Sequence, residues 1–451
     1  MSTSAFTILA ANIILSSPNG RERIVDISKQ IIEVTFYESL YTSYVDARIV
    51  MLDDFGLRTE LSVQGTERIQ LVIGVGSDTT PVIDKIFFFS KVNDVEKMNE
   101  RSEILSIDLV EEHVYVNAIK SLSRSYTDTL ENMVINIADR DLGKPVVKTA
   151  YFEPTPQAKR RIIIPYMSPL EAMSWIQTRM TTKIGSPIYV YGDLYSNSLY
   201  MAGLDGLLSE KVINEKMPLR YNDAISAADG DQEFIKTYYQ VTKFTETDAE
   251  DALALYEEGA VGSFYANIDA GTGQTFGTHI TVRDVIDDFY TYGLIDKGTS
   301  QSVFDPSLVI DGRPADEYNS LHIHQVTSSR TYNQYKSYHD EAQLIEGNTP
   351  FESRLKIKNK LIRQILKKNQ IDIEMDGGLF LEKKISPSRK MRIIFLSPNT
   401  NSNVTDMKQS VDKRKSGDYL LTNVMHRMSN DNHVVNARLI KLGDLPSDFT
   451  I

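Results

Sequence analysis

A strand-turn-strand unit near the C-terminus, Asp418 to Leu442, is echoed by an earlier unit, Phe87 to Leu109. Side chains alternate faces along a strand, and the second loop is two residues shorter, so each apolar set still points at the same core. The aligned positions are Phe89-Ser90-Lys91-Val92 with Leu421-Thr422-Asn423-Val424, and Leu105, Ile107 and Leu109 with Val435, Ala437 and Leu439. A further apolar strand precedes each hairpin, Arg68 to Ile73 and Met391 to Phe395. The sequence therefore predicts two antiparallel domains of one kind.

Composition sets wide bounds on the rest of the chain. A length of 451 residues predicts about three domains, and 41% hydrophobic with 24% charged residues is typical of globular proteins. The absence of cysteine excludes disulfides and thiolate chemistry. No Lys or Arg precedes the apolar run from Ala5 to Leu15, so it is predicted to be a first strand rather than a signal peptide. No stretch reaches the roughly 18 apolar residues that a membrane helix needs, so no membrane contact is expected.

Charge is divided unevenly along the chain. Residues 351–451 hold 19 Lys or Arg and 11 Asp or Glu, a net charge of +8, which leaves −20 on residues 1–350 of a chain whose net charge is −12. This asymmetry is typical of an oriented assembly with several partners, or of an acidic surface that does not retain nucleic acid. A solvated basic helix over Phe351 to Lys368 is the simpler explanation of the positive end.

Helix starts are marked by capping motifs. Thr349-Pro350-Phe351-Glu352 and Ser168-Pro169-Leu170-Glu171 each combine an N-cap hydroxyl, a proline at the first helical position and a reciprocal Glu. The second of these helices is predicted to end near Gly185. Further helices are predicted from about Asp128 to Arg140 and from Thr281 to Gly293. Alternating strands dominate elsewhere, which predicts an α+β chain that is β-rich at both ends.

These patterns predict a division into four parts. Residues 1–118 form a first β domain and residues 119–230 a mixed α+β domain. Residues 231–270 and 350–451 form a second, discontinuous β domain. Residues 271–349, rich in Gly, Ser, Asp and Tyr, are interpreted as an insertion.

The final hairpin, Tyr419 to Val435, resembles that of the central baseplate hub protein of T-even-like contractile-tail bacteriophages. The order of parts also resembles that family: an early segment like Phe36 to Tyr41, a strand like Glu67 to Ile73, a helix like Ile164 to Met180, and a late region like Phe351 to Leu442. The likeness covers about three quarters of the chain. It is lost over 271–349, which is longer than in the family pattern.

The resemblance implies two tube-like β-barrel domains, an internal duplication, in each chain of a homotrimer. Three chains then present six similar units, so that a threefold spike and a sixfold tail tube both find matching surfaces. The expected function is a structural baseplate hub that leaves a channel for genome passage. The expected partners are a second and third copy, the trimeric central spike, and the tail tube or its initiator, with the tape measure protein and baseplate wedges as further candidates. Contact with DNA is expected only in passage, and the expected location is the virion tail baseplate, assembled in the host cytoplasm.

Motifs for catalysis or metal binding are weak. His322 and His324 share a strand face, with His339 further on, but no carboxylate sits at ligand spacing, and solvated surface histidines are favoured. The glycine-rich run Gly271 to Gly277 lacks the Lys-Ser/Thr of a phosphate loop and is interpreted as a loop. Adjacent carboxylates on a strand point to opposite faces and do not form an acid-base pair. No catalytic residue, cofactor or metal is therefore assigned, and no enzymatic activity is expected.

Two sets of residues are candidate interface positions. Aromatic side chains recurring every three residues give contact area with little entropy to lose, although a face packed on its own domain explains them equally well. Basic residues beside predicted turns lack interleaved aromatics and are expected to contact acidic neighbours rather than nucleic acid. The candidates are Tyr332, Tyr335, Tyr338, Lys383, Lys384, Arg389, Lys413, Arg414 and Lys415.

Two other functions remain open from the sequence. A tail-associated cell-wall hydrolase would need carboxylates that converge from distant segments, which sequence does not exclude. A hub-spike fusion, as in secretion systems, is disfavoured because the last strand ends close to Ile451.

Overall fold

The structure is a computed structural model. It describes residues 6–16, 22–54, 56–57, 67–76, 79–98, 102–149, 152, 160–221, 238–247, 252–257, 262–269, 275–294, 309–327, 355, 358–364, 366, 370–396, 411–412, 415–429 and 432–443. In these residues the chain is β-rich with short helices, as predicted.

The N-terminal part forms an antiparallel sheet of seven strands. Its order is β2-β1-β5-β6-β7-β4-β3, and the predicted first strand is confirmed as β1. The strands are β1 (Phe6–Ser16), β2 (Glu22–Asp26), β3 (Ile31–Ser39), β4 (Asp46–Asp53), β5 (Arg68–Val75), β6 (Pro81–Lys97) and β7 (Glu103–Val110). Alternate residues face one core, as in β5, where Ile69, Leu71 and Ile73 are fully buried.

The next part mixes helices with two small sheets, β10-β8 and β11-β12-β9. Its elements are α1 (Glu112–Ile119), β8 (Leu122–Asp128), α2 (Leu130–Leu142), β9 (Val146–Lys148), β10 (Arg160–Met167), α3 (Pro169–Gln177), β11 (Ile188–Tyr191), β12 (Leu199–Gly203) and α4 (Leu204–Ser209). Helices α2 and α3 pack on these strands around a core that includes Met133, Ile137 and Met173.

Helix α3 begins at the predicted capping motif, and α2 begins at Leu130, close to the predicted start at about Asp128. Thr129 accepts a hydrogen bond from the backbone N–H of Asn132 at the start of α2, and Ser168 forms a capping box with Glu171 at the start of α3. Helix α3 ends at Gln177 rather than near Gly185. Gly185 has a positive φ of 88° in a turn closed by the Thr182 N–H to Ser186 O bond, so it turns the chain toward β11. The helix predicted from Thr349 starts outside the described residues.

The chain then forms a small separate sheet and a barrel. The remaining elements are β13 (Leu219–Tyr221), β14 (Gln240–Thr247), α5 (Ala252–Glu257), β15 (Gly262–Asp269), β16 (Thr275–Thr281), α6 (Val282–Thr291), β17 (Val309–Ile310), β18 (Arg313–Pro314), a 3-10 turn (Ala315–Glu317), β19 (Leu321–Thr327), β20 (Gln370–Asp376), α7 (Gly378–Glu382), β21 (Lys390–Ile394), β22 (Gly417–Ser429) and β23 (Asn432–Gly443). Residues 358–364 are also helical.

Six strands of the C-terminal part close into a barrel. The order is β22-β21-β13-β14-β20-β23, and the additional pairing of β22 with β23 closes the ring of strands. Helix α7 contributes Leu379 and Phe380 to the barrel core, both fully buried. Closure removes most of the free sheet edges that an open sheet leaves exposed.

The sheet β16-β15-β19 stands apart from this barrel. Helix α6 follows β16 through a capping box between Thr281 and Asp284, and Gly293 lies just beyond its end with a φ of 64°, as predicted. The predicted boundary at 270/271 falls between β15 and β16, which pair with one another, and β13, placed in the mixed domain, pairs within the barrel. The boundaries otherwise stay predictions.

The N-terminal sheet and the barrel contain the same five-strand arrangement. The order β5-β6-β7-β4-β3 in the first corresponds to β21-β22-β23-β20-β14 in the second. Phe89 pairs with Leu109, and Leu421 pairs with Leu439, as the sequence alignment places them.

Two irregularities recur at corresponding positions of these five strands. The pairing of β6 with β7 skips Ser90, and that of β22 with β23 skips Thr422. In the same way the pairing of β3 with β4 skips Ile32, and that of β14 with β20 skips Thr242. A bulge re-aims the side chains that follow it, so these two shared bulges help to align the two arrangements. The pairing of β6 with β7 also skips Asn93, which has no counterpart in the pairing of β22 with β23, so beyond that point equivalent residues are identified by their paired partners.

The two arrangements are joined edge to edge by β3 and β22. Strand β22 pairs with β21 over residues 417–420 and then continues along β3 over residues 423–429. The result is one thirteen-stranded sheet that runs from β2 through the junction into the barrel.

The substitution Leu439→Asp is expected to prevent folding. Leu439 is fully buried in β23 between Ile371 and Leu421, so the variant would bury an unpaired carboxylate and lose packing worth about 2–5 kcal/mol. Soluble yield and urea denaturation measure the loss. The control Leu439→Met keeps the volume and is expected to cost less than about 1.5 kcal/mol. Wild-type stability of Leu439→Asp would contradict the register of β23.

Candidate assembly surfaces and the buried junction

The junction between the two arrangements is built on the carboxylate of Glu38. Glu38 lies in β3 and is only 2% exposed. Its Oε1 accepts a hydrogen bond of 2.8 Å from the backbone N–H of Leu194, in the loop after β11, and its Oε2 lies 3.3 Å from Nε2 of His426 in β22. A buried carboxylate is costly unless it is paired. One side chain thus joins the N-terminal sheet, the mixed part and the barrel.

Two stacked histidines continue from Glu38 into the barrel. His426 and His433 are fully buried, with ring centroids 5.3 Å apart and His426 Nδ1 3.1 Å from His433 Nε2. With His426 Nε2–H donating to Glu38, His426 Nδ1 accepts from His433 Nε2–H. His433 Nδ1 is then left as an acceptor without a hydrogen-bond partner in the described part of the chain. Burial, and then the neighbouring His426, hold the pKa of His433 well below its ordinary value, so this ring is neutral.

Gly377 makes room for these rings. Its N–H donates to the backbone oxygen of His433 at 2.9 Å, and a Cβ at this position would lie 2.3 Å from His433 Cε1 and Nδ1. No real Cβ contact is that short, so any side chain here displaces the imidazole from its bond to His426.

We expect Gly377→Ala to destabilise the protein by about 1–3 kcal/mol, as overpacking does. Urea denaturation measures the cost. In a His433→Ala background the obstructing ring is absent, so the added cost of Gly377→Ala is expected to be much smaller. Equal costs in the two backgrounds would show that the close contact with His433 does not fix this glycine.

A second buried network ties the N-terminal sheet to α1. Glu111 Oε1 lies 3.1 Å from Lys85 Nζ in β6 and 3.0 Å from Lys144 Nζ, and its Oε2 accepts from the N–H of Val45 at 2.9 Å. Burial alone would raise the pKa of Glu111, but Lys85, Lys144, His113 and the hydrogen bond from Val45 together outweigh it and hold the pKa below the ordinary value. The carboxylate is therefore charged at neutral pH. The side chains of Glu111 and Lys85 are both almost completely buried.

A surface groove of about 480 Å³ lies over the junction. Strands β3, β4, β20, β22 and β23 line it, and Arg438 holds Asp372 through two hydrogen bonds of 2.8 and 3.0 Å at its wall. Tyr, Asn and Met side chains make up much of the rest: Tyr37, Asn423, Met425 and Asn436. Aromatic and Met side chains in such a concavity suit contact with another protein.

Asp46, also in this groove, makes stability depend on pH. Burial, and then Glu111 and Asp108, raise the pKa of Asp46 to about 6. The folded state therefore keeps a proton that the unfolded chain releases near pH 4, and stability falls as the pH rises from about 4 to 6.

We expect Asp46→Asn to lose this part of the pH dependence. The variant should gain stability relative to the wild type as the pH rises from about 4 to 7, because it has no carboxyl to ionise in the groove. Thermal unfolding across that range measures the difference, with the exposed Asp54→Asn as the matched control. Parallel curves for wild type and Asp46→Asn would contradict the raised pKa.

The candidate interface residues that the structure describes lie beside turns at more than one place on the barrel: Lys383 is near Tyr239, just before β14, and Lys415 is near Glu246, at the far end of β14. Lys383 Nζ lies 3.1 Å from Tyr239 Oη, Arg389 lies 3.3 Å from Glu210, and Lys415 lies 3.0 Å from Glu246. Lys384 follows α7 with a positive φ of 49°. These contacts within the chain hold the basic side chains in place. Their role as an interface stays a prediction, and Tyr332, Tyr335, Tyr338, Lys413 and Arg414 lie outside the described residues.

Sequence reasoning missed the Glu38 and histidine network, although a signal was present. His426 shares strand parity with Val424 and Met428, and all three are buried. A titratable residue at an inward position of a strand needs a buried partner. The partner, Glu38, also sits at an inward position, but on a strand far away in sequence.

Solved structures with a similar fold include two tail proteins. The tail protein from Neisseria meningitidis MC58 is 11% identical, and the alignment covers 97% of each chain with a TM-score of 0.53. The 43 kDa tail protein of prophage MuSo2 from Shewanella oneidensis is 12% identical, with 96% of this chain and 98% of that chain covered and a TM-score of 0.53. No protein-family profile matches the chain, and no curated protein matches it in sequence. At this level of identity the likeness establishes the fold alone: the β-rich fold shared with tail proteins is confirmed, and the hub-specific part of the prediction stays a prediction.

No helix in the described residues is long and apolar enough to cross a membrane.

Proposed function

We propose that this protein is a structural component of a contractile phage tail, the hub of the baseplate. In this proposal the sheet and the barrel are the two copies of an internal duplication. Three chains form a ring of six similar units around a channel, with a trimeric spike on one side and the tail tube or its initiator on the other. The protein acts by assembly and not by catalysis, and DNA only passes through it.

One observation carries the proposal: two arrangements with the same strand order and two bulges in common are joined edge to edge in one chain. Units of a tube ring contact their neighbours side by side. In this chain the N-terminal sheet and the barrel already form such a side-by-side contact through β3 and β22, so that each chain supplies one third of a ring of six.

The ring explains why a chain would carry two such units. A threefold assembly cannot match a sixfold one with a single repeated surface, because closed cyclic symmetry gives each chain one set of contacts. Two similar units per chain give a trimer six similar surfaces on one side. The parts that differ between the halves, α1 to α4 and the sheet β16-β15-β19, keep the symmetry threefold on the other side.

The native mass tests the proposal. The chain has a mass of 51.0 kDa, so light scattering across a concentration series is expected to give a species of 3 × 51.0 = 153 kDa. Negative-stain images of that species are expected to show a ring with six lobes.

A chain that stays at 51.0 kDa at every concentration, and also in the presence of a trimeric spike protein, would contradict the proposal. A dimer or tetramer would contradict it equally, because neither gives six units.

A further inference from the structure

The contact between copies can be inferred from the contact within the chain, and this inference rests on the proposed trimer. Within the chain, residues 423–429 of β22 pair with residues 33–39 of β3. Glu96 of β6 pairs with Ile104 of β7, and Arg427 of β22 pairs with Val434 of β23. Since Ile104 and Val434 are equivalent positions, Glu96 is equivalent to Arg427. The shared pairing with β4 and β20 makes Thr245 of β14 equivalent to Thr35, since their partners are Arg48 and Asp372.

Both equivalent edges are open in the described residues. Strand β6 pairs with β5 only over residues 81–88, so that residues 91–97 pair with β7 alone. Strand β14 pairs with β13 only at residues 240–241, so that residues 243–247 pair with β20 alone. Strand β13 pairs with residues 240–241 of β14, which are equivalent to the start of β3. Strand β22 does not reach that part of β3, so β13 leaves room for a second strand along the rest of β14.

Residues at the open edges are more exposed than their equivalents at the junction, as expected where a neighbouring strand is missing. Thr35 is 4% exposed beneath β22, whereas its equivalent Thr245 is exposed. Met428 is 1% exposed beneath β3, whereas its equivalent Lys97 is exposed. Unpaired edges of this length invite pairing with another strand unless something covers them.

The charges at the two open edges are also complementary, with the signs opposite to those at the junction within the chain. Arg427 of β22 lies 2.8 Å from Glu33 of β3 across the junction. The residues equivalent to this pair are Glu96 and Lys243, again of opposite charge.

The same exchange of signs already occurs once within the chain. Arg48 pairs with Asp108 at 2.7 Å in the N-terminal sheet, and the equivalent residues Asp372 and Arg438 pair at 2.8 Å in the barrel. Opposite charges placed across neighbouring strands are stabilising, and like charges are not.

We propose that the open edge of β6 in one copy pairs antiparallel with the open edge of β14 in the next copy, in the register of β22 with β3. Glu96 then lies opposite Thr245, and its carboxylate reaches Lys243, which already contacts Glu374 at 2.9 Å. The contact joins two different edges, so it repeats around an axis, and in the proposed trimer it closes after three copies. Three contacts between chains alternate with three contacts within chains.

Disulfide trapping tests this register, because the chain has no cysteine of its own. In the variant Glu96→Cys with Thr245→Cys, each copy offers a thiol to both neighbours. Directly opposed strand residues fall within the Cα separation of about 4.4–6.8 Å that a disulfide requires. Mild oxidation followed by non-reducing electrophoresis is expected to give covalent trimers. An equal mixture of the two single variants is expected to give covalent dimers, and each single variant alone is expected to give none.

The matched control is Glu96→Cys with Lys243→Cys, which moves one thiol two residues along the strand, by roughly 7 Å. It is expected to give little covalent product. Light scattering of each reduced variant separates the two levels of the proposal. A trimer that gives no covalent product with Glu96→Cys and Thr245→Cys, or gives as much with the control pair, would overturn the strand register and leave the trimer standing. A monomer would overturn both.

Discussion

The structure depends on one buried carboxylate at the place where two sheets meet. Strand β22 stays paired with β23 in the barrel and, over residues 423–429, also pairs with β3 on its other side. The backbone pairing of β22 with β3 is not specific to any side chains. Glu38 makes the pairing specific. Its two oxygens bind the backbone of the loop at Leu194 and the imidazole of His426, so three parts of the chain have to be in place together before the charge is satisfied.

The packing around that carboxylate gives the junction one geometry. His426 and His433 stack inside the barrel, and Gly377 lies against the second ring with no space for a Cβ. A rigid junction matters in a ring, because an error in the angle between two units is repeated at each unit. The second network, Glu111 with Lys85 and Lys144, fixes α1 against the first sheet in the same way.

The fold was accessible from sequence where local patterns decide it. Two strands are predicted by alternating apolar residues, and the structure contains both as β7 and β23. The residues are Leu105, Ile107 and Leu109 in the first strand and Val435, Ala437 and Leu439 in the second. The capping residues at Ser168 and Thr281 predict helix starts for the same reason, since they act within a few residues.

Other features depend on distant parts of the chain and left weaker signals. The junction of β3 with β22 uses backbone groups that every residue carries, so nothing in residue type announces it. The end of α3 was missed because Met180 continues the apolar spacing while the chain has already left the helix. Glu38 and His426 belong to strands that meet only in the folded protein, and the strand parity of His426 was the one available indication.

In the proposed assembly each chain contributes two adjacent units, already joined to one another, to a ring of six. Electron cryomicroscopy of the purified assembly tests this most directly. The map is expected to show a ring of six units at about 60° intervals. Around this ring, β3–β22 contacts within chains are expected to alternate with β6–β14 contacts between chains. A map in which the N-terminal sheet and the barrel lie at different radii, or do not alternate around one ring, would contradict it.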